Sequence, residues 1–252
     1  MKWFGRAAEQ GDADGQLAIG YAYRHGKGVP QDDAEAVKWF GKAAEQGNAD
    51  AQHRLGIAFY FGKGAPQHFC EAVKWFDKAA EQDNADAQLA LGDAYHHGEG
   101  VGQDDAEAVK WYRRAAEQGH AEAQYSFGEA YCREEGSLQN YSEAVKWYRK
   151  AAERGHAEAQ YRLADAHYSG QGVAQDRPEA MRWYRKAAGQ GHAEAQCMLG
   201  DIYHSGEGAR KDYAEAVKWY RRAAEQGDPN DPERLGTYYE AREILASFFV
   251  ID

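Results

Sequence analysis

Side chains able to do chemistry are sparse in this chain. Nucleophilic catalysis needs a serine set beside a base and oxyanion donors. None of the six serines, Ser126, Ser137, Ser142, Ser169, Ser205 and Ser247, lies in G-x-S-x-G or S-x-x-K. Zinc chemistry needs ligands that converge. No H-E-x-x-H occurs, and His120-Ala121-Glu122 opens like a deaminase signature without the P-C-x-x-C that should follow. His120, His156 and His192 recur at one interval. Packed helices stand about 8–10 Å apart, so such a ladder cannot bring three imidazoles to Zn–N bonds of about 2.0–2.1 Å. Helix capping is the better reading. His96 and His97, with Glu99, come closer, but adjacent helical residues point apart. Gly26-Lys27-Gly28 and Gly62-Lys63-Gly64 suggest a phosphate cradle. They lack the Walker spacing, and the same place reads Gly98-Glu99-Gly100, so they are read as turns. Cys70, Cys132 and Cys197 form no CxxC pair; they read as small, half-buried side chains in a chain that does not depend on disulfides. No catalytic residue, metal or cofactor is expected.

The elements behind these residues are set by a repeat. Tryptophan stands at 3, 39, 75, 111, 147, 183 and 219, every interval being 36. A fixed period in this range marks a repeat array. One unit, Asn84 to Gly119, carries Ala87, Leu91, Ala94 and Tyr95 at helical spacing, then Ala108, Trp111, Tyr112, Ala115 and Ala116. Each unit is therefore two helices joined by a Gly-rich loop, about Asp86–His96 and Asp105–Gln118 in this copy. The fold class expected is all-α, a right-handed α/α superhelix of 36-residue helix-loop-helix repeats. The expected layout is a single repeat domain over 1–252: a half-repeat at 1–11, six full repeats over about 12–227, and a C-terminal capping helix over about 228–252, starting near Pro232.

The punctuation has physical reasons. Asn48, Asn84, His120, His156 and His192 precede first helices, where a side-chain acceptor satisfies orphan backbone N–H groups. Gly26, Gly62, Gly98, Gly170 and Gly206 close them in the left-handed region. Asp32, Asp104, Asn140, Asp176 and Asp212 open second helices, each followed three residues later by Glu, like a capping box. Trp and the aromatic after it read as core knobs, so Trp111→Ala is expected to cost about 3–5 kcal/mol. Gly20, Gly56, Gly92, Gly128, Gly200 and Gly236 sit mid-helix at about 1 kcal/mol each against Ala, which predicts a close contact there; Ala164 is the variant. Repeat four departs from the loop rule with Cys132-Arg133-Glu134-Glu135, and Asp83 stands where a terminating Gly is usual.

These residues resemble the Sel-1-like repeat (SLR) family, a tetratricopeptide-like α/α solenoid. Its pattern of A-x-x-x-L-G-x-x-Y, G-x-G-V, D-x-x-x-A and W-Y-x-K-A-A appears here as Ala87, Leu91, Gly92, Tyr95, Gly98, Gly100, Val101, Asp104, Ala108, Trp111, Tyr112, Arg114, Ala115 and Ala116. The match covers about residues 1–240. Tetratricopeptide repeats are shorter, about 34 residues. The resemblance implies a superhelix that binds proteins; members act as adaptors in degradation complexes, in bacterial signalling and host interaction, and as partners of secreted effectors. A cysteine-rich branch has a disulfide in each repeat, and the paired cysteines it needs are missing here.

Composition narrows the partners. Lys plus Arg number 30 against 41 Asp plus Glu, a net charge of −11. That balance disfavours nucleic acid, whose binding rests on neutralising phosphates. No apolar run reaches the roughly 20 residues that span a bilayer, and Met1–Gly11 lacks a signal-peptide core. The location expected is cytoplasmic, or periplasmic if a signal lies upstream. Positions that differ between repeats are free of packing duty. On the first helix these include Leu17, His53, Leu89, Tyr125, Tyr161 and Cys197; then Tyr21, Ile57, Asp93, Glu129, Asp165 and Asp201; then Arg24, Tyr60, His96, Cys132, Tyr168 and His204. Steps of four and three place them on one face, the concave one in stacked helical repeats. The site expected there is Tyr21, Tyr60, Phe61, Asp93, His96, Tyr125, Glu129, Tyr161, Asp165, Tyr168, Asp201 and His204. Aromatic anchors with an acid row suit a protein or peptide carrying apolar and basic groups. The function expected is a non-catalytic scaffold or adaptor, in one form a bacterial effector partner or immunity protein. The alternatives are an enzyme or ligand binder hidden in the groove, and a structural spacer. The solenoid ends, with Trp3 at one and Phe248 and Phe249 at the other, are expected to dock a second copy, a partner or an N-terminal segment outside this chain; the alternative is a simple frayed cap.

Overall fold

A computed structural model describes residues 8–133 and 140–226, with Glu243 and Ala246. The seating of Trp3, the loop at 134–139 and the capping helix expected over about 228–252 lie outside the described residues. Among the described residues twelve helices follow in order: α1 (Ala13–His25), α2 (Asp33–Glu45), α3 (Ala49–Phe61), α4 (Phe69–Ala80), α5 (Ala85–His97), α6 (Asp105–Glu117), α7 (Ala121–Arg133), α8 (Tyr141–Glu153), α9 (Ala157–Ser169), α10 (Arg177–Gly189), α11 (Ala193–Ser205) and α12 (Tyr213–Gln226). No strand occurs among the described residues. The class is an all-α solenoid of helix pairs, odd-numbered helices being the first of each pair. Contacts group the chain into two compact units, 1–123 and 124–252.

The caps form as the residue types dictate. Asn48 and Asn84 accept from the N–H groups of Ala51 and Ala87, each at 2.9 Å. His156 and His192 do the same through Nδ1, at 3.0 and 3.2 Å. Asp32, Asp104, Asp176 and Asp212 accept from the N–H three residues on. The return arm of a capping box is absent at these four sites for a clear reason. The capping residue's own N–H is already taken by a carbonyl of the preceding helix, Asp104 to Tyr95 at 2.9 Å for example. The glutamate pairs instead with the lysine or arginine three residues later, as Glu107 does with Lys110. Asp83 adopts φ 60°, the left-handed turn that glycine fills elsewhere; Asp tolerates that region better than most residues.

The deepest large side chain is not the repeating tryptophan. Phe40 and Phe76 in the first unit, and Tyr184 and Tyr220 in the second, are almost fully buried. Phe40, Phe76 and Tyr220 lie across the backbone of the preceding helix at Gly20, Gly56 and Gly200. A Cβ added to Gly92 would fall 2.6 Å from the Tyr112 ring, and one added to Gly128 2.7 Å from Tyr148. The glycines are therefore kept for ring-on-backbone packing. Tryptophans 39, 75, 111, 147 and 219 are only half-buried, and of the described ones only Trp183 is buried. Lysine or arginine three residues later lies over the indole, Lys42 at 3.9 Å from Trp39 and Lys150 at 3.5 Å from Trp147. The expectation that Trp111 is a full core knob is corrected accordingly.

Repeats are joined by polar ladders. Gln52, Gln88 and Gln160 are buried and donate to the carbonyls of Ala44, Ala80 and Ala152 at 3.0–3.1 Å. Each accepts in turn from a glutamine just past the second helix of its own repeat, Gln82, Gln118 and Gln190, at 2.7–2.8 Å. The capping residues reach back as well: Asn84 to Asp50 at 2.8 Å, His120 to Asp86 at 3.0 Å and His192 to Glu158 at 2.7 Å. The second glycine of the G-x-G loops at Gly64, Gly100, Gly172 and Gly208 meets the preceding repeat. A Cβ on Gly172 would stand 2.5 Å from the Tyr141 carbonyl. The loops are thus turns, as expected, and also inter-repeat contacts.

Candidate protein-docking surfaces

In the first unit the expected residues make separate local contacts. Tyr21 stands edge-on to Phe40 at 5.6 Å and receives a 2.6 Å hydrogen bond from Arg54 Nε. Tyr60 packs against Phe61 at 4.9 Å and Phe69 at 5.2 Å, and its hydroxyl donates to Glu99 of the following repeat. Burial first, then the Glu99 carboxylate, pushes the Tyr60 hydroxyl up to about 12. Phe61 is 58% exposed beside this cluster, with Lys63 above its ring. Asp93 accepts from Tyr112 at 2.8 Å; burial raises its carboxyl above the usual range, and the tyrosine bond pulls the other way. His96 Nδ1 lies 2.6 Å from Asp105.

In the second unit Tyr125 stacks on His156 at 4.9 Å and Tyr161 on His192 at 4.8 Å, the same contact one repeat apart. Burial pushes the Tyr125 hydroxyl up to about 12. Tyr168 lies under Arg177, which pairs with Glu207 at 3.4 Å. His204 meets Tyr213 edge-on at 5.5 Å. Glu129 accepts from Tyr148 at 2.5 Å, Asp165 from Tyr184 at 3.5 Å and Asp201 from Tyr220 at 2.6 Å.

Sequence reasoning missed the duty of this acid row. Every acid faces the hydroxyl of the core tyrosine 19 residues later. The signal was present: where the core ring is Phe40 or Phe76, the matching positions are Tyr21 and Ile57, not acids. A buried hydroxyl needs a partner, and the acid supplies it. A second pairing crosses each loop nine residues apart: Arg24 with Asp33, Tyr60 with Phe69, His96 with Asp105, Tyr168 with Arg177. Both members change together from repeat to repeat. Cys70, expected to be half-buried, is exposed.

Between repeats four and five lies a cleft of about 170 Å³, bounded by α7, α8 and α9 and lined by Glu129, Cys132, Tyr141, Tyr148, Arg162 and Asp165 among others. Cys132 Sγ lies 3.3 Å from the Tyr148 hydroxyl. Arg162 Nε stands 3.5 Å from Glu129 and 3.2 Å from Glu158. Burial opposes the charge on Arg162, but Glu129, Tyr125 and Glu158 outweigh it and hold the guanidinium firmly protonated. Glu158 lies below the usual carboxylate range, chiefly through its hydrogen bond with His192. Among the described residues no group of three or more His, Cys, Asp or Glu is placed to hold a metal ion. No helix among them is long and apolar enough to cross a membrane.

Stacked helix pairs with variable exposed faces define an α/α repeat protein of the kind that commonly serves protein–protein interaction. Sel1 repeats match residues 1–12, 13–48, 49–84, 85–120, 121–156, 157–192 and 193–228, and the chain belongs to the Sel1 repeat family. A solved protective antigen of uropathogenic Escherichia coli with an SLR fold is similar over 99% of this chain at 39% identity and TM-score 0.88. The chain spans about half of that structure, 51% of its length. A Sel1 repeat protein from Oxalobacter formigenes is 36% identical over 88% of each chain, TM-score 0.78. An immunity protein from Pseudomonas aeruginosa shares the fold at 18% identity and TM-score 0.52, over 91% of this chain and 81% of its own. No curated protein matches the sequence.

Proposed function

We propose that this chain is a non-catalytic scaffold whose first-helix faces bind a segment of another protein. The observation that carries the reading is the contrast between fixed and changing contacts. The glutamine ladder and cap bridges recur unit after unit. The first-helix residues beside them change chemistry at each step, from Tyr60 and the exposed Phe61 to His96, Tyr168 and His204. Aromatic anchors rimmed by charge are the usual make-up of a docking surface. The residues proposed to touch the partner are those named from the sequence, Tyr21, Tyr60, Phe61, Asp93 and His96 in the first unit, and Tyr125, Glu129, Tyr161, Asp165, Tyr168, Asp201 and His204 in the second. One concrete form is a bacterial partner or immunity protein for a secreted effector; a solved Pseudomonas aeruginosa protein of this fold is itself described as an immunity protein.

The test is capture of partners from native lysate followed by cross-linking and mass spectrometry. Cross-links should concentrate on α1, α3, α5, α7, α9 and α11. Cross-links confined to the outward faces of the second helices, around Lys38, Lys110 or Lys218, would refute the placement.

A further inference from the structure

We propose that the cleft between α7, α8 and α9 receives one basic side chain, a lysine or arginine, of a bound protein segment. This rests on the reading of the chain as a protein-binding scaffold and names what one part of it recognises. The size comes first. At about 170 Å³ the cleft is smaller than the roughly 300–1,000 Å³ of small-molecule sites, and suits a single side chain. Its walls are amphipathic. Ala144, Val145, Ala166 and the rings of Tyr141 and Tyr148 line it, giving apolar contact to a methylene stem and aromatic faces to a cation.

The charge decides the sign of the guest. Glu129 and Asp165 line the cleft with Arg162, and Glu158, outside the lining, pairs with Arg162. The Arg162 guanidinium is already paired with two carboxylates, Glu129 at 3.5 Å and Glu158 at 3.2 Å, which leaves Asp165 as the other acid lining the cleft. Glu129 is engaged twice, by Arg162 and by Tyr148 at 2.5 Å. Asp165 differs. Its tyrosine bond is 3.5 Å, against 2.5–2.8 Å for the other three acids of the row. The longer bond coincides with a local change: Ala164 stands where those repeats have glycine, and at those glycines a Cβ would fall 2.4–2.7 Å from the tyrosine ring. Asp165 therefore keeps acceptor capacity toward the cleft, where a guest ammonium or guanidinium completes it with a charge-assisted bond.

A random dodecapeptide phage library panned on the full chain tests this, with affinities of the selected peptides measured by fluorescence anisotropy. The expected result is a basic residue at one fixed place in the selected peptides. Replacing it in the peptide by norleucine or citrulline should weaken binding tenfold or more. Asp165→Asn should do the same, while Glu153→Gln, an equal charge change on exposed α8 surface, should leave affinity unaltered. The peptide substitution carries the test even if Asp165→Asn disturbs folding. Peptides that bind without a shared basic residue, with an acidic one in its place, or with no response to either substitution, overturn this assignment and leave the scaffold reading standing. A library that yields no binder overturns both.

Discussion

Gly92→Ala sets two physical effects against each other. On helix propensity alone the substitution stabilises α5 by about 0.8–1 kcal/mol. The structure puts a Cβ at this place 2.6 Å from Tyr112 Cε1 and 2.7 Å from Cδ1. Ordinary carbon contacts lie at about 3.5–4.0 Å, so the ring must retreat by roughly 1 Å within a filled core. Overpacking of this kind costs about 1–3 kcal/mol. The retreat also stretches the 2.8 Å bond from Tyr112 to Asp93, and hydrogen bonds to charged groups are worth about 1.5–3 kcal/mol. Repeat five carries alanine at this place, Ala164, and its tyrosine–acid bond is the longest of the four at 3.5 Å. The net expectation is destabilisation by about 1–2 kcal/mol, read from urea unfolding followed by far-ultraviolet circular dichroism. The converse, Ala164→Gly, should shorten the Tyr184–Asp165 bond in a crystal structure. A Gly92→Ala protein more stable than wild type by about 1 kcal/mol would refute the ring-on-backbone argument.

Tyr112→Ala should cost about 3–5 kcal/mol and Trp111→Ala roughly half that, because Tyr112 is 6% exposed while Trp111 is half-buried; equal losses in thermal unfolding would contradict the assignment of the core ring. Burial, then the Arg54 charge, pushes His53 down to about 4. The unfolded chain takes up that proton first as pH falls below about 6.5, so this stability is complete above that pH and is lost toward pH 4, by at most about 3 kcal/mol. Leu17 and Leu89 hold the matching positions, so His53→Leu should flatten the melting temperature between pH 7 and pH 4; an unchanged slope counts against a buried neutral imidazole. His192→Ala should cost about 0.5–2 kcal/mol as a lost cap, and His192→Asn should keep most of it, since Asn48 and Asn84 cap the equivalent helices at 2.9 Å. Equal losses in the two variants would show that capping is not what the histidine supplies.

Much of this architecture is legible from residue types because the same local physics is repeated. The interval of 36 fixes the unit, glycine and Asx residues fix its boundaries, and the glycines at 20, 56, 92, 128 and 200 announce a close contact. The identity of the contact was harder to read. Tryptophan is the larger and more regular residue, yet its neighbour is the buried one, since Lys or Arg three residues on covers the indole from the solvent side. Helical spacing places both on one broad stripe and cannot say which points inward. The acid row misled for a related reason. Aspartate on an exposed-looking face reads as free charge until the tyrosine hydroxyl 19 residues away is set beside it. The exchange of that acid for Tyr21 and Ile57 opposite phenylalanine was the available sign. The cleft between repeats four and five had no sequence signature beyond the loop departure near Cys132, because it depends on where three helices leave space.

This pairing changes how the central claim is best tested. Reversing the charges of Asp93, Glu129, Asp165 and Asp201 would leave four core tyrosine hydroxyls facing a cation in place of their acceptor. Amides keep a carbonyl oxygen that accepts from tyrosine and remove only the charge. The direct measurement is the affinity of a captured protein partner for the quadruple variant Asp93→Asn, Glu129→Gln, Asp165→Asn, Asp201→Asn at low salt. The account predicts an affinity weaker by tenfold or more, a gap that narrows as salt screens the charges, and a melting temperature close to wild type. An unchanged dissociation constant at low salt, with the fold intact, would contradict docking on the first-helix faces.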